Sequence, residues 1–535
     1  MDKNKLPNDP KKLKQIIFDL ALKNKEYEEE LKEERRKYLT IYEQFNTLRR
    51  LYFGKRSEKL TPDDREQMRL FNEAEAGAEE TDQNYEVIHE ENLSTVKSYT
   101  RKRPGRKPLS PDLPREEVVY DLSEEEKQCP CCQKERPVIS KEETEELDII
   151  PAKIKVIKHI RIKYGPCECD EFLHKGIPEV KIALMPERMI PGSIASPGLL
   201  AYVLTSKYVD SLPFYRQSKM FERINADISR ATMCNWAILT ADRCKELISI
   251  MAEEIRSGPL IQMDETTVQV LKEPERKAES KSYMWVSVGY PTGEKSKPLI
   301  LYNYHPTRSE IVPKEFLKGY KGYLQTDGYA GYNNAGAIEG IVHAGCFAHA
   351  RRYFYEAMKQ NKKSKAAHKG LSYIQKIYSI ESDLRERKLE NDEFIRKRKD
   401  AVLPILEEFK NWLLSQNEIV LPESKTGKAI KYAISEWDKL TKYLLHHLMT
   451  PDNNMVENVI RPFVIGRKNW LFSNTPRGAN ASAVIYSLIE SAKANGLEPY
   501  NYLRFLFNNL PKAKSREDIR KLVPSHLSPE NIFLP

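Results

Sequence analysis

The chain has 535 residues, 40% apolar and 31% charged, with 87 basic against 78 acidic side chains and a net charge of +9. At roughly 100–200 residues per domain this accommodates three to five units with ample core. No apolar run approaches the ~18 residues a spanning helix needs, and the N-terminal MDKNKLPNDPKKLKQ lacks the apolar stretch of a secretory signal, so the expectation is a cytoplasmic protein with no membrane partner.

Residues 13–52 carry Leu13, Ile17, Leu20, Tyr27, Leu31, Tyr38, Ile41, Phe45, Leu48 and Tyr52 on alternating steps of three and four, interrupted only at Asn24 and Glu34. A period of about 3.5 held this long is a coiled-coil seam, which must be buried by a partner helix. A homo-oligomer joined through 13–52 is the expectation, with an internal partner as the alternative. Asn24 falls on an a position, where a buried amide weakens the coil but fixes its register. Residues 1–60 thus read as a coiled-coil helix with a basic end.

Residues 61–110 read as a disordered acidic linker ending in a basic strip. Eight acids lie between Glu73 and Glu91, with no Lys or Arg between Arg69 and Lys97. Arg101, Lys102, Arg103, Arg106 and Lys107 then pack five cations into seven residues, kept extended by Pro104 and Pro108. Such a strip is either a solvated tail or a contact for nucleic-acid phosphates.

Five of the eight cysteines fall between Cys129 and Cys169. In a cytosolic chain a local cluster argues for metal rather than disulfides. Cys129 and Cys132 form a C-x-x-C step, and Cys167 and Cys169 a tighter pair. Together they can hold one tetrahedral Zn²⁺, with Cys131 to spare, in a zinc-finger-like domain over 111–190. Residues 156–164 alternate like a strand. Cys234, Cys244 and Cys346 are expected to be buried packing residues.

Residues 191–258 read as a helical domain. Within it, a first helix over 214–223, a turn over 225–228 and a second helix capped by Ser229 have the shape of a helix-turn-helix. Two helices of an ordinary bundle are the alternative. If the second helix reads DNA, Arg230 and Asn235 are its candidate contacts.

From residue 259 the pattern changes to LIQMDETTVQVL, YMWVSVGY and PLILYNYH, a helix over 309–317, then GYLQTDGY and GIVHAGC. Three strands, a helix and two further strands match a ribonuclease-H-like α/β core over 259–350. A charged helical insertion follows over 351–450, the core resumes over 451–496, and a helical segment closes the chain over 497–535. The fold class expected is multi-domain α+β: coiled-coil helix, zinc-finger-like domain, helix-turn-helix-like domain, and ribonuclease-H-like core with helical insertion.

Asp264 sits in the first core strand, Asp327 at the end of the fourth, and Glu457 on the helix after the insertion. In a ribonuclease-H-like sheet the first and fourth strands are neighbours, so the two aspartates meet there. Carboxylates that close repel unless a cation lies between them. Two divalent ions about 3.5–4 Å apart, Mg²⁺ or Mn²⁺, remove the conflict and activate water or a DNA 3′-hydroxyl. Arg351, Arg352, Arg461, Arg467 and Lys468 flank these blocks, with Trp470 and Phe472 between them. That strip either meets a DNA backbone and unstacked end bases, or is surface charge over a core tryptophan. His305 and His349 lie nearby and are expected to be packing or hydrogen-bonding residues.

DET (264–266), QTDGYAGYN (325–333), GCFAHARRYF (345–354), NNMVENVIRP (453–462), GRKNWLFSN (466–474) and YSLIESAKANGLEPYNYL (486–503) together resemble the insertion-sequence-66 family of bacterial transposases. LRRLYFGKRSEKL (48–60) and RKRPGRKPL (101–109) are similar to the family's N-terminal part, so the resemblance covers nearly the whole chain. It implies a DDE transposase with Asp264, Asp327 and Glu457 as its three acids, acting on the element's ends and a target DNA. It also implies small accessory proteins encoded by the same element. The family's zinc-finger-like domain has two C-x-x-C pairs. Here the second pair is C-x-C, preceded by Gly165-Pro166, which strains the usual turn. A nuclease of the same fold without strand transfer, and a non-catalytic DNA-binding descendant, are the alternatives.

Overall fold

The computed structural model describes residues 9–53, 154–161, 163–164, 181–182, 184–294 and 297–532. The chain divides into two units, residues 1–85 with 187–535, and residues 86–186. Helix α1 (Pro10–Phe53) runs unbroken through the expected seam. Its seam residues Ile17, Leu20, Tyr27, Leu31 and Tyr38 are between 46% and 71% exposed. In the second unit β1 (Lys163–Tyr164) pairs antiparallel with β2 (Lys181–Ile182). The strand expected over 156–164 is realised only in those last two residues, and Val156, Ile157 and Ile160 stay exposed. No neighbour among the described residues pairs with the rest of the segment, and alternation alone does not make a sheet. Cys129, Cys132, Cys167, Cys169 and the strip from Arg101 to Lys107 lie outside the described residues.

In the first unit, α2 (Pro197–Tyr208) starts where Ser196 accepts the Leu199 N–H, with Pro197 in the first turn. α3 (Phe214–Glu222) leads into a turn at Asn225, whose φ of 57° an asparagine tolerates better than most residues. Ser229 then caps α4 (Arg230–Arg243) by accepting the Thr232 N–H, and α5 (Lys245–Ser257) follows. The local helix-turn-helix shape is thus present. α4 buries Met233, Trp236, Ala237, Thr240 and Ala241, leaving Arg230 and Asn235 exposed. Cys234 shares that outer face and is exposed, contrary to the expectation that it packs inside; Cys244 and Cys346 are buried as expected. One continuous apolar core joins these helices to the sheet.

The sheet is mixed. β3 (Leu260–Gln269), β4 (Lys281–Gly289), β5 (Leu299–His305), β6 (Gly322–Gln325) and β7 (Ile341–Ala344) lie in the order β5-β4-β3-β6-β7, and α6 (Ile311–Phe316) links β5 to β6. β3–β4 and β4–β5 are antiparallel, whereas β3–β6 and β6–β7 are parallel. Helices α7 (Phe347–Gln360), α8 (Lys365–Glu386), α9 (Asn391–Ile419) and α10 (Lys425–Ser435) follow. Then come α11 (Asn454–Trp470), α12 (Pro476–Ala494) and α13 (Pro499–Asn509). Edge strand β5 is satisfied by α12: Ser491 accepts the Ile300 N–H at 2.8 Å and donates to its carbonyl at 3.0 Å, and Ser487 accepts the Tyr302 N–H at 2.8 Å. Hydroxyls thus take the place of another strand. No helix among the described residues is long and apolar enough to cross a membrane.

The long helices are tied to the start of α11 by a buried cation. Arg398 on α9 is fully buried and donates to the carbonyls of Tyr443 (2.8 Å), His446 (3.1 Å) and Met449 (3.0 Å) and to Glu381 of α8 (2.8 Å). Arg398→Ala leaves Glu381 without this partner and frees the segment that leads into α11. We expect a loss of about 3–5 kcal/mol, the range for breaking a buried pair. The measurement is urea denaturation, read as a lower midpoint with an unchanged slope.

Candidate active site

The parallel register of β3 on β6 sets Gln262 opposite Gln325. Asp264 and Asp327 stand two residues beyond these glutamines, Asp264 inside β3 and Asp327 just past the end of β6, which stops two residues before the position expected from sequence. The glutamines hold the level. Gln262 donates to Gln325 at 2.9 Å and accepts from the Tyr290 hydroxyl at 3.2 Å. Gln325 donates to the Thr450 carbonyl at 2.7 Å, which draws the chain before α11 to the end of β6. Glu457 then lies in the first turn of α11, 5% exposed, on a helix packed against β3.

These acids form one electrostatic cluster. Asp264 is driven well above the ordinary aspartate range by burial, then by the charges of Glu265, Asp327 and Glu457. Burial also raises Asp327, against the pull of its bond from the Tyr329 N–H at 3.0 Å. The Asp264 carboxylate is fixed by the Glu265 N–H at 2.8 Å. A Cβ at Gly328 would come within 2.6 Å of the Tyr432 hydroxyl, so a larger residue beside Asp327 would have to displace that ring.

Glu265, not expected as part of the site, is a fourth acid in the cluster. It is raised by burial and by Asp327, but it has its own partners. Arg308 donates to it at 2.5 Å and Tyr332 at 2.5 Å. The Arg308 guanidinium lies 3.6 Å from the centre of the Tyr329 ring, and the Tyr329 hydroxyl donates to the Arg308 carbonyl at 2.7 Å. Glu265 is therefore matched by a cation of its own, while Asp264 feels the charges of Glu265, Asp327 and Glu457. Tyr332 and Tyr329 lie in the QTDGYAGYN block, so part of this arrangement had a signal in sequence. Arg308, 43 residues from its partner, had none.

The other sequence candidates separate by position. Arg467 donates to the Thr267 carbonyl and, at 2.8 Å, to the Thr267 hydroxyl, bracing α11 on β3. Lys468 and Phe472 are exposed, and Arg351 is buried. Trp470 packs edge-on to Tyr208 and Phe463, with the Lys207 ammonium 4.4 Å from its ring centre, so its ring belongs largely to the core. His305 closes a turn by accepting the Thr307 N–H at 3.1 Å. His349, expected to pack or to hydrogen-bond, is buried and faces Glu457 at 4.0 Å, and burial lowers its pKa to about 3.

Known proteins resemble this chain over nearly its whole length. A sequence profile described as "Transposase IS66 family" matches residues 192–481. Others match residues 41–118 ("Transposase C of IS166 homeodomain"), 126–170 ("zinc-finger binding domain of transposase IS66") and 487–525 ("IS66 C-terminal element"). Among curated proteins, the uncharacterized protein y4qI of Sinorhizobium fredii is 29% identical over 91% of this chain and 88% of its own length. The uncharacterized protein y4jD of the same organism is 30% identical over 74% of this chain and 76% of its own length.

The raised carboxyls have a consequence for stability. Above about pH 4, where an unfolded aspartate has released its proton, the folded chain still holds protons on Asp264, Glu265 and Asp327. The folded state then binds more protons than the unfolded one, so stability falls as pH rises toward the raised values. Asp264→Asn removes the largest source of this strain. In a chelating buffer near neutral pH the variant should melt at a higher temperature than the wild type, with the gap closing toward pH 4 (about the unfolded pKa). A variant melting at or below the wild type near neutral pH overturns this.

Proposed function

As a chain that belongs to the IS66 transposase family, this protein is one that we propose to be a DDE transposase: it cuts DNA at the ends of its insertion sequence and joins them to a target, with Asp264, Asp327 and Glu457 as its catalytic acids. The carrying observation is the buried acid cluster, in which Asp264 feels both Asp327 and Glu457. The strand order β5-β4-β3-β6-β7, with three antiparallel strands followed by two parallel ones, supports a ribonuclease-H-like core.

The donor set fits hard divalent cations, Mg²⁺ or Mn²⁺. It consists of carboxylate oxygens whose burial and mutual repulsion a cation relieves. When bound there, such ions stabilise charge on the attacking and leaving oxygens of phosphodiester cleavage. The chain's own residues keep the acids ready. The Glu265 and Tyr329 N–H groups orient Asp264 and Asp327. The first turn of α11 carries Glu457. Arg308 and Tyr332 hold Glu265 to one side.

DNA is bound on this reading by several modest basic modules: the strip Arg101, Lys102, Arg103, Arg106 and Lys107; the outer face of α4 at Arg230 and Asn235; and Arg467 with Lys468 beside the acids. Cys129, Cys132, Cys167 and Cys169 bind one zinc; all four fall within the residues 126–170 matched to the zinc-finger domain. The exposed apolar row of α1 pairs protomers.

Strand-transfer and cleavage assays with labelled element ends test the central reading. Asp264→Ala, Asp327→Ala and Glu457→Ala should each lower both activities by about 10²–10³-fold or more, the scale of losing a group that stabilises transition-state charge. Cleavage without joining in the wild type would favour the nuclease, and undiminished activity in any of the three variants overturns that residue's role. Sedimentation of a peptide spanning residues 10–53 tests the pairing; it should be a dimer or higher oligomer at tens of micromolar, and a helical monomer there refutes the seam.

A further inference from the structure

Helices α7 and α11 meet at their N-termini. Cys346 immediately precedes α7, His349 lies in its first turn, and Glu457 lies in the first turn of α11. The Phe347 N–H donates to the Pro451 carbonyl at 2.8 Å and the Asn453 N–H to the Cys346 sulfur at 3.4 Å, so the two chain segments are clasped. A sulfur, an imidazole nitrogen and a carboxylate oxygen from Cys346, His349 and Glu457 all lie within 4.8 Å of one another.

His349 Nδ1 is buried with no hydrogen-bond partner among the described residues. It stands 4.0 Å from Glu457 Oε1, too far for a hydrogen bond between them. A buried lone pair or N–H without a partner is costly, and such a group in a native site calls for a ligand or water. Bonds of about 2.0–2.3 Å from nitrogen, oxygen and sulfur to one ion close the observed spacing with small side-chain shifts. The Asn453 N–H on the sulfur is the outer contact that steadies a metal-bound thiolate.

We propose that Cys346, His349 and Glu457 form a site for one zinc-class divalent ion, beside the aspartates and sharing Glu457 with them. A thiol, an imidazole and a carboxylate suit zinc or cobalt rather than magnesium, which takes oxygen ligands. Binding transfers the thiol proton to solvent and leaves a thiolate on the ion. The proposal rests on the catalytic reading only in giving Glu457 two duties.

The test uses the full chain carrying Cys129→Ser and Cys132→Ser, to remove the other thiolate cluster, stripped with chelator and dialysed against Zn²⁺ or the optical probe Co²⁺. The parent should retain about one ion per chain with a thiolate-to-cobalt absorption band, and further Cys346→Ser, His349→Ala or Glu457→Gln changes should each remove that ion. Asp264→Asn should leave it in place. Unchanged metal content in folded His349→Ala and Glu457→Gln proteins overturns the site, even where Cys346→Ser fails to fold. If the ion is lost in these variants while DNA cutting survives Asp264→Ala and Asp327→Ala, the zinc-class site stands and the catalytic reading falls.

Discussion

Everything in the central region answers to one electrostatic conflict. Parallel pairing of β3 with β6 brings Asp264 on β3 near Asp327, just past the end of β6, and α11 adds Glu457. Burial then raises the cost of each charge and amplifies their repulsion. A fold that accepts this arrangement must hold the acids together by force from outside. Here the force is local and polar: the hydrogen bond between the Gln262 and Gln325 side chains locks the strands, and the Gln325–Thr450 hydrogen bond brings in the chain that leads to Glu457.

The fourth acid shows how selective the arrangement is. Glu265 is as close in sequence to the conflict as a residue can be, yet Arg308 and Tyr332 satisfy it. The cluster is therefore not uniformly starved of cations. Arg308 and Arg352 also pull on Asp327, while the charges of Glu265, Asp327 and Glu457 all weigh on Asp264.

The scaffold's remaining features keep that set from relaxing apart. The serines of α12 close the edge of β5, so the sheet ends there without an unpaired strand. Arg398 binds three carbonyls just before α11 and anchors the inserted helices to the segment that positions Glu457. The insertion is thus part of the site's support. At the same junction α7 brings Cys346 and His349 close to Glu457, so this carboxylate neighbours both a thiol and an imidazole.

Local pattern was enough to read the long first helix, the five core strands and the Ser229 cap, because each leaves a periodicity or a short motif in consecutive residues. Alternation misled at 156–164, where no described neighbour pairs with most of the segment, and burial misled at Cys234, whose place on α4 is set by which face meets the core. The partners of Glu265 lie 43 and 67 residues away, and Cys346 meets the N–H of Asn453 at a separation of 107. No spacing rule links residues that far apart. Their contacts exist only because strand register and helix packing bring distant segments to one point. The chemical types at this site were written in the sequence, and the tertiary structure alone decided that Arg308 and Tyr332 would reach Glu265.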